Sequence, residues 1–238
     1  FVVILDITTR KCYTIVVMIN ITTMEVKNMK KILVVGSNGR TGKLIVNEAL
    51  KKGYDVIGLG LSENSSNVPT YLKLDVFSLV TKDVEKYDVV VDALGAWTPD
   101  TIPSIGDAII HLAKILEGTT TRLVVVGGAG SLYIDKTMTT TVDMGPDFPD
   151  AWKPLSASHG RGLAYLRNAK NLNWTYISPA CNFEADGTRT GEYKLCGEIL
   201  TLNSKGESTI SYADFSIALV DEIESGKHNK QRISVVSK

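Results

Sequence analysis

The chain has 238 residues, 44% of them hydrophobic and 22% charged, which is the make-up of one globular domain with a sizeable core. Its 26 basic and 26 acidic side chains cancel, so there is no electrostatic footprint for nucleic acid or for an anionic membrane surface. Three cysteines and three histidines, widely scattered, fit neither a disulfide framework nor a metal site, and a reducing cytoplasm is the expected setting.

The first 28 residues differ in character from the rest. Two apolar runs, at 2–5 and 13–19, are separated by Asp6, Arg10 and Lys11, so neither reaches the ~20 apolar residues that cross a bilayer. The basic start and small-residue cleavage site of a secretory leader are missing. Met29 is expected to be the native start, with residues 1–28 a non-native or disordered extension; the alternative is an added strand or hairpin docked on the domain.

From Met29 the pattern is regular. Ile32, Leu33, Val34 and Val35 form a short apolar run of the kind buried on both faces of a parallel sheet. Gly36, Gly39 and Gly42 follow, then Leu44, Ile45 and Ala49 at helical spacing, with Gly53 as a helix stop. Strand, glycine loop and helix in that order build an anion pocket from backbone. The first glycine permits the turn, the second lets a pyrophosphate approach, and the third brings the helix close to the strand. The spacing is G-x-x-G-x-x-G, not G-x-G-x-x-G, and the competing reading is an ordinary strand-to-helix turn.

Further strands are expected at 55–59, 71–74, 88–93, 123–126 and 174–177, with helices at 104–117 and 156–171. Residues 132–154 are polar, aromatic and proline-bearing, which suits a loop over a site. Beyond 180, short strands are expected at 193–196, 199–202 and 208–210, then a helix over 211–224 capped by Ser211. A last strand at 232–236 could join the sheet edge. The fold class is therefore α/β: a doubly wound, Rossmann-type parallel sheet with helices on both faces and a small carboxy-terminal α+β elaboration. The pocket elements are expected mainly in 132–155 and 180–210.

Several side chains are candidates for the chemistry. The end of the second strand, 58–62, carries neither the acid that marks NAD nor the base that marks NADP. Arg40, inside the glycine loop, could reach a 2′-phosphate, which tips the cofactor towards NADP(H) over NAD(H); the alternative is a solvated arginine at a helix start. Asp75 either bonds the adenine amino group or caps the turn after its strand. Tyr133 with Lys136 and Tyr165 with Lys170 have the wrong spacing for a Tyr–Lys reductase pair, because the lysine must lie one helical turn from the tyrosine. Ser131 and His159 are the catalytic candidates, against a turn serine and a capping histidine. Cys181 and Asn182 leave the sixth strand near the same place, the cysteine reading as a small buried apolar residue.

Five blocks together resemble the atypical short-chain dehydrogenase family, which includes the NADH-flavin reductase and biliverdin-IXβ reductase group and the NmrA-like proteins. They are GSNGRTG at 36–42, VVGGAGSL at 125–132, WTYISPA at 174–180, RTGEY at 189–193 and ISYAD at 210–214. The resemblance implies an NAD(P)H site with Gly36, Asn38, Gly39, Arg40, Thr41 and Gly42 in contact with the cofactor. It places Asp75 near the adenine, Ala93 and Gly95 near its ribose, and Gly128 beside the nicotinamide. The chain departs from the biliverdin and flavin reductases at two positions: Gly128 stands where they carry a serine, and Cys181 where they carry a histidine. The implied function is hydride transfer to a flavin, quinone or similar conjugated acceptor by a monomer or small homo-oligomer. The alternative is a non-catalytic NAD(P)(H) sensor of NmrA-like type. Sugar-nucleotide epimerase chemistry is poorly supported, because the Tyr–Lys pair is missing.

Overall fold

The computed structural model describes residues 2–6, 11–15 and 29–238. Val2–Asp6 (β1) and Lys11–Ile15 (β2) pair antiparallel as a small sheet of their own. The expectation of a non-native extension before Met29 otherwise concerns residues outside those described.

The main sheet begins at Lys31–Val35 (β3), which leads through the glycine loop into Arg40–Lys51 (α1). Asp55–Gly60 (β4), Thr70–Lys73 (β5), the short helix Thr81–Val84 (α2) and Val89–Asp92 (β6) follow. Pro103–Leu116 (α3), Arg122–Val126 (β7), Lys153–Asn168 (α4) and Asn173–Ser178 (β8) continue the alternation. The remainder is Asn182–Glu184 (β9), Tyr193–Cys196 (β10), Thr209–Ser211 (β11), Tyr212–Ser225 (α5) and Gln231–Ser237 (β12). Among these described residues no helix is long and apolar enough to cross a membrane.

Eight strands run in the order β10-β12-β8-β7-β6-β3-β4-β5, all parallel except β10, which pairs antiparallel with β12. The chain winds outward from β3 in one direction through β4 and β5, then returns to β6 and winds the other way. The reversal opens a crevice above the carboxyl ends of β3 and β6, where open α/β sheets bind their ligands. Strand β3 shows why both faces are covered. Ile32 and Val34 enter one apolar core with α1 and α5, while Leu33 and Val35 enter the other with α3 and α4. Helix α3 buries Ile105, Ala108, Ile109, Leu112, Ala113 and Leu116, three and four apart, against that second core.

The differences from the sequence reading have local causes. Helix α4 begins at Lys153, three residues earlier than expected, because Pro154 sits in its first turn, where a missing N–H costs nothing. No strand forms over 199–202; Ile199 makes a single bridge to Tyr133. Strand β12 is not at the sheet edge but inside it, covered by β10. The strand expected at 208–210 forms as β11, and it pairs in parallel with β9, a strand that was not expected. The 189–193 and 210–214 blocks meet at one buried carboxylate: Asp214 accepts from the backbone N–H of Thr190 and Gly191 and from the Thr190 hydroxyl. Its own N–H donates to Ser211, the helix cap.

Candidate active site

The crevice holds a cavity of about 700 Å³. Its inner end is the glycine loop. Gly36 stands at φ +76°, and a Cβ there would lie 2.7 Å from the Ala93 carbonyl oxygen; a Cβ on Gly42 would lie 2.2 Å from the Gly36 carbonyl oxygen. The first and third glycines are thus demanded by backbone meeting backbone. Gly39 is the N-cap of α1 and supplies no side-chain cap, and the first turn contains no acidic residue. The open N–H groups of that turn, with the positive end of the helix dipole, leave an uncompensated anion site facing the cavity. A pyrophosphate fits this backbone cradle.

Of the expected cofactor residues, Gly36, Gly39, Arg40, Thr41, Ala93, Gly95 and Gly128 line this cavity. Three others lie outside its lining. Gly42 packs α1 against the loop. Asn38 faces the segment after β4: its amide nitrogen is within hydrogen-bond distance of Ser62 Oγ, the Glu63 carbonyl and the Tyr71 hydroxyl, and its oxygen accepts from Ser65 N–H. Asp75 caps the turn after β5, accepting from Phe77 N–H.

Arg40 lines the cavity, its guanidinium 5.6 Å from the Tyr212 ring and 5.9 Å from the Trp97 ring.

The other end of the cavity is built by side chains from distant segments. Loop residues Val142, Phe148, Pro149 and Trp152 line it, as do Leu155, Ser156 and His159 of α4 and residues 180–183 after β8. Of the region 180–210, nothing past Phe183 lines it. Ser156 ties the long loop to α4 by donating to Asp143 at 2.6 Å, and Gly130 makes room for that hydroxyl. Cys181 is exposed at the cavity wall, not buried as expected, and partial desolvation by that wall raises its thiol pKa, away from a thiolate.

Ser131, the first catalytic candidate, is not part of the cavity wall. Its carbonyl accepts from Arg232 at 3.1 Å and its hydroxyl faces the same guanidinium, which is buried beneath the loop and paired with Glu198. His159, the second, borders the cavity. Its ring packs on Gly128, where a Cβ would come within 3.1 Å of Cδ2, and it meets the Tyr176 ring edge to face at 6.5 Å. The Tyr176 ring in turn fills the space beside Gly127, and its hydroxyl accepts from Gly128 N–H at 3.0 Å. The 127–128 doublet is thus the imprint of two rings, one from β8 and one from α4.

Three titratable groups sit beneath this point. Burial lowers His159 to about 4, so the imidazole is neutral at physiological pH, and its Nδ1 is buried without a partner among the described residues. Burial pushes Tyr176 up to about 12. Asp92 is in register with Val125, which is in register with Tyr176, so both polar side chains emerge on the α3/α4 face. Burial pushes Asp92 up to about 7 against one hydrogen bond from Leu94 N–H. Sequence reading missed Trp97 and Trp152 in the cavity lining, and Tyr176 and Asp92 as buried polar groups behind it; for Tyr176 the signal was the glycine doublet beside it.

A reversing parallel sheet with a glycine-loop anion site at its switch point defines a dinucleotide-binding α/β protein. The chain belongs to the NAD(P)H-binding family, whose model matches residues 36–224. It is similar to the uncharacterised protein YwnB of Bacillus subtilis, 38% identical over 213 residues that span 87% of this chain and 98% of YwnB. Among solved structures it is similar to SP1627 of Streptococcus pneumoniae, a candidate NADH-flavin reductase, at 49% identity and a TM-score of 0.86, covering 88% of this chain and all of that one. A candidate epimerase of Bacteroides thetaiotaomicron is 29% identical with a TM-score of 0.76, covering 88% and 97% of the two chains. These likenesses accord with the atypical short-chain dehydrogenase group that the five blocks resemble.

Proposed function

We propose that this protein is an NAD(P)H-dependent reductase that delivers a hydride to a conjugated acceptor such as a flavin or quinone. The observation that carries the reading is a single cavity joining the backbone anion site at Gly39–Thr41 to Gly128 and the neutral imidazole of His159. A reduced nicotinamide held there would supply the hydride, which with one solvent proton balances reduction of the acceptor and oxidation of the cofactor. The glycine loop and the start of α1 would hold the pyrophosphate. Arg40 adds a charge to the same phosphates, so it does not choose between NADH and NADPH. His159, packed on Gly128, offers a neutral hydrogen-bonding edge that can orient a ring carbonyl or ring nitrogen of the acceptor.

The reading asks for little acid catalysis, in keeping with the absence of a Tyr–Lys pair, and positioning accounts for the rate. Absorbance decay of NADH and NADPH with FMN, riboflavin and simple quinones tests it. Turnover with at least one acceptor is expected. Tight cofactor binding by calorimetry with no turnover would replace the reductase by a cofactor-binding sensor.

A further inference from the structure

We propose that the outer half of the cavity is a subsite for an uncharged planar ring, packed against the indoles of Trp97 and Trp152; this rests on the reductase reading of the same site. Both indoles line the cavity, yet Trp97 is 62% and Trp152 50% exposed. They come from separate loops, one after β6 and one before α4, and meet edge to face at 6.4 Å and 90°. Phe148, Pro149 and Leu155 extend the same wall. Large aromatic faces left open inside a concavity are the surface that a flat conjugated ring covers.

The charges in the cavity decide which rings fit. Among the 28 lining residues Arg40 alone carries a full charge, and no carboxylate is present. Arg40 stands at the first position of α1, beside Gly39 and Thr41, where the cofactor's phosphates are held. With those phosphates in place no other cation lines the cavity for an acceptor's phosphate or sulfonate. An anionic tail would then lose water without gaining a cation to pair with. What the wall does offer is neutral, including the side chains of Ser156, His159 and Asn182.

The test pairs acceptors that share a ring and differ in charge: riboflavin against FMN, and 1,4-naphthoquinone against its 2-sulfonate, each with saturating NADH or NADPH and the full chain. The uncharged member of each pair is expected to have about tenfold higher kcat/KM. Trp97→Ala and Trp152→Ala are each expected to raise KM for the uncharged member about tenfold, with Trp→Phe restoring most of it; the Kd of the cofactor stays unchanged in Trp152→Ala, whereas Trp97 also packs near Arg40. Equal or better use of the charged members would show that Arg40 reads the acceptor, and would overturn the proposal. Turnover that is indifferent to both tryptophan substitutions would overturn the subsite and leave the reductase standing. Calorimetric binding of riboflavin that needs the tryptophans, with no turnover of any acceptor, would support the subsite and remove the reductase. Neither binding nor turnover would remove both.

Discussion

At its inner end the cavity is walled by backbone: a carbonyl from Ala93, a carbonyl from Gly36 and the open first turn of α1, all within one stretch of chain and the strand beside it. At its outer end the wall is side chains drawn from the loops after β6 and β7, from α4 and from the turn after β8. The inner end tolerates almost no change of residue, because an added Cβ meets atoms that cannot move. The outer end can exchange one ring for another and still be a wall. On the proposed reading, a cofactor common to many enzymes would sit in rigid backbone, while the acceptor would be met by interchangeable parts.

The sharpest way to break this contrast is Gly42→Ala. Its Cβ would stand 2.2 Å from a backbone oxygen, which costs about 3 kcal/mol or more and should weaken cofactor binding about 100-fold, read by calorimetry alongside the melting temperature. Unchanged binding and melting would show that the loop is not rigid. Next in size is His159→Ala, which removes a side chain of the outer wall. A fall in kcat of about 30-fold with an unchanged cofactor Kd is expected; a changed Kd would mean that the two ends are not separable. Because burial keeps the imidazole neutral, wild-type kcat/KM should show no His159 step from about pH 5.5 to 8.

Arg40→Ala follows, with about tenfold weaker binding of NADH and NADPH alike. A loss confined to NADPH would return Arg40 to the 2′-phosphate. The smallest effect concerns Asp92, beneath both ends. Its folded-state value of about 7 lies above the ordinary 3.8, so the folded chain holds a proton that the unfolded chain has released. Stability is then greatest at low pH and declines between about pH 4 and 7, by an amount on the order of 4 kcal/mol at most. Asp92→Asn should flatten that decline and melt a few degrees higher at about pH 8 than the wild type. An identical pH slope in the two proteins would remove Asp92 from the account.

The same contrast explains what could be read in advance. The strand Ile32–Val35, the three glycines and the helix after them are contiguous, and each residue is constrained by its chain neighbours, so local rules suffice. The doubly wound parallel class followed from the alternation of segments for the same reason, whereas the place of β12 inside the sheet did not. Position 199 was misread because the bonding of its backbone depends on Tyr133, sixty-six residues earlier, and not on its own pattern. Ser131 lies beside Arg232, outside the cavity lining, and only the folded chain shows that. Arg40 was legible at the head of α1, while its packing near Trp97 and Tyr212 was not, because those rings come from distant segments. The outer wall was legible only as a proline-bearing aromatic loop, because its parts converge from segments that no spacing rule connects.

The imidazole against Gly128 carries a lesson for redesign. A Cβ added at 128 would come within 3.1 Å of the ring, so the imidazole would have to give by a few tenths of an ångström to admit one. Positions 128 and 159 are therefore coupled through one contact. A hydroxyl placed at 128 is best paired with a smaller residue at 159, because any shift of the ring is passed on to the cavity wall that it borders.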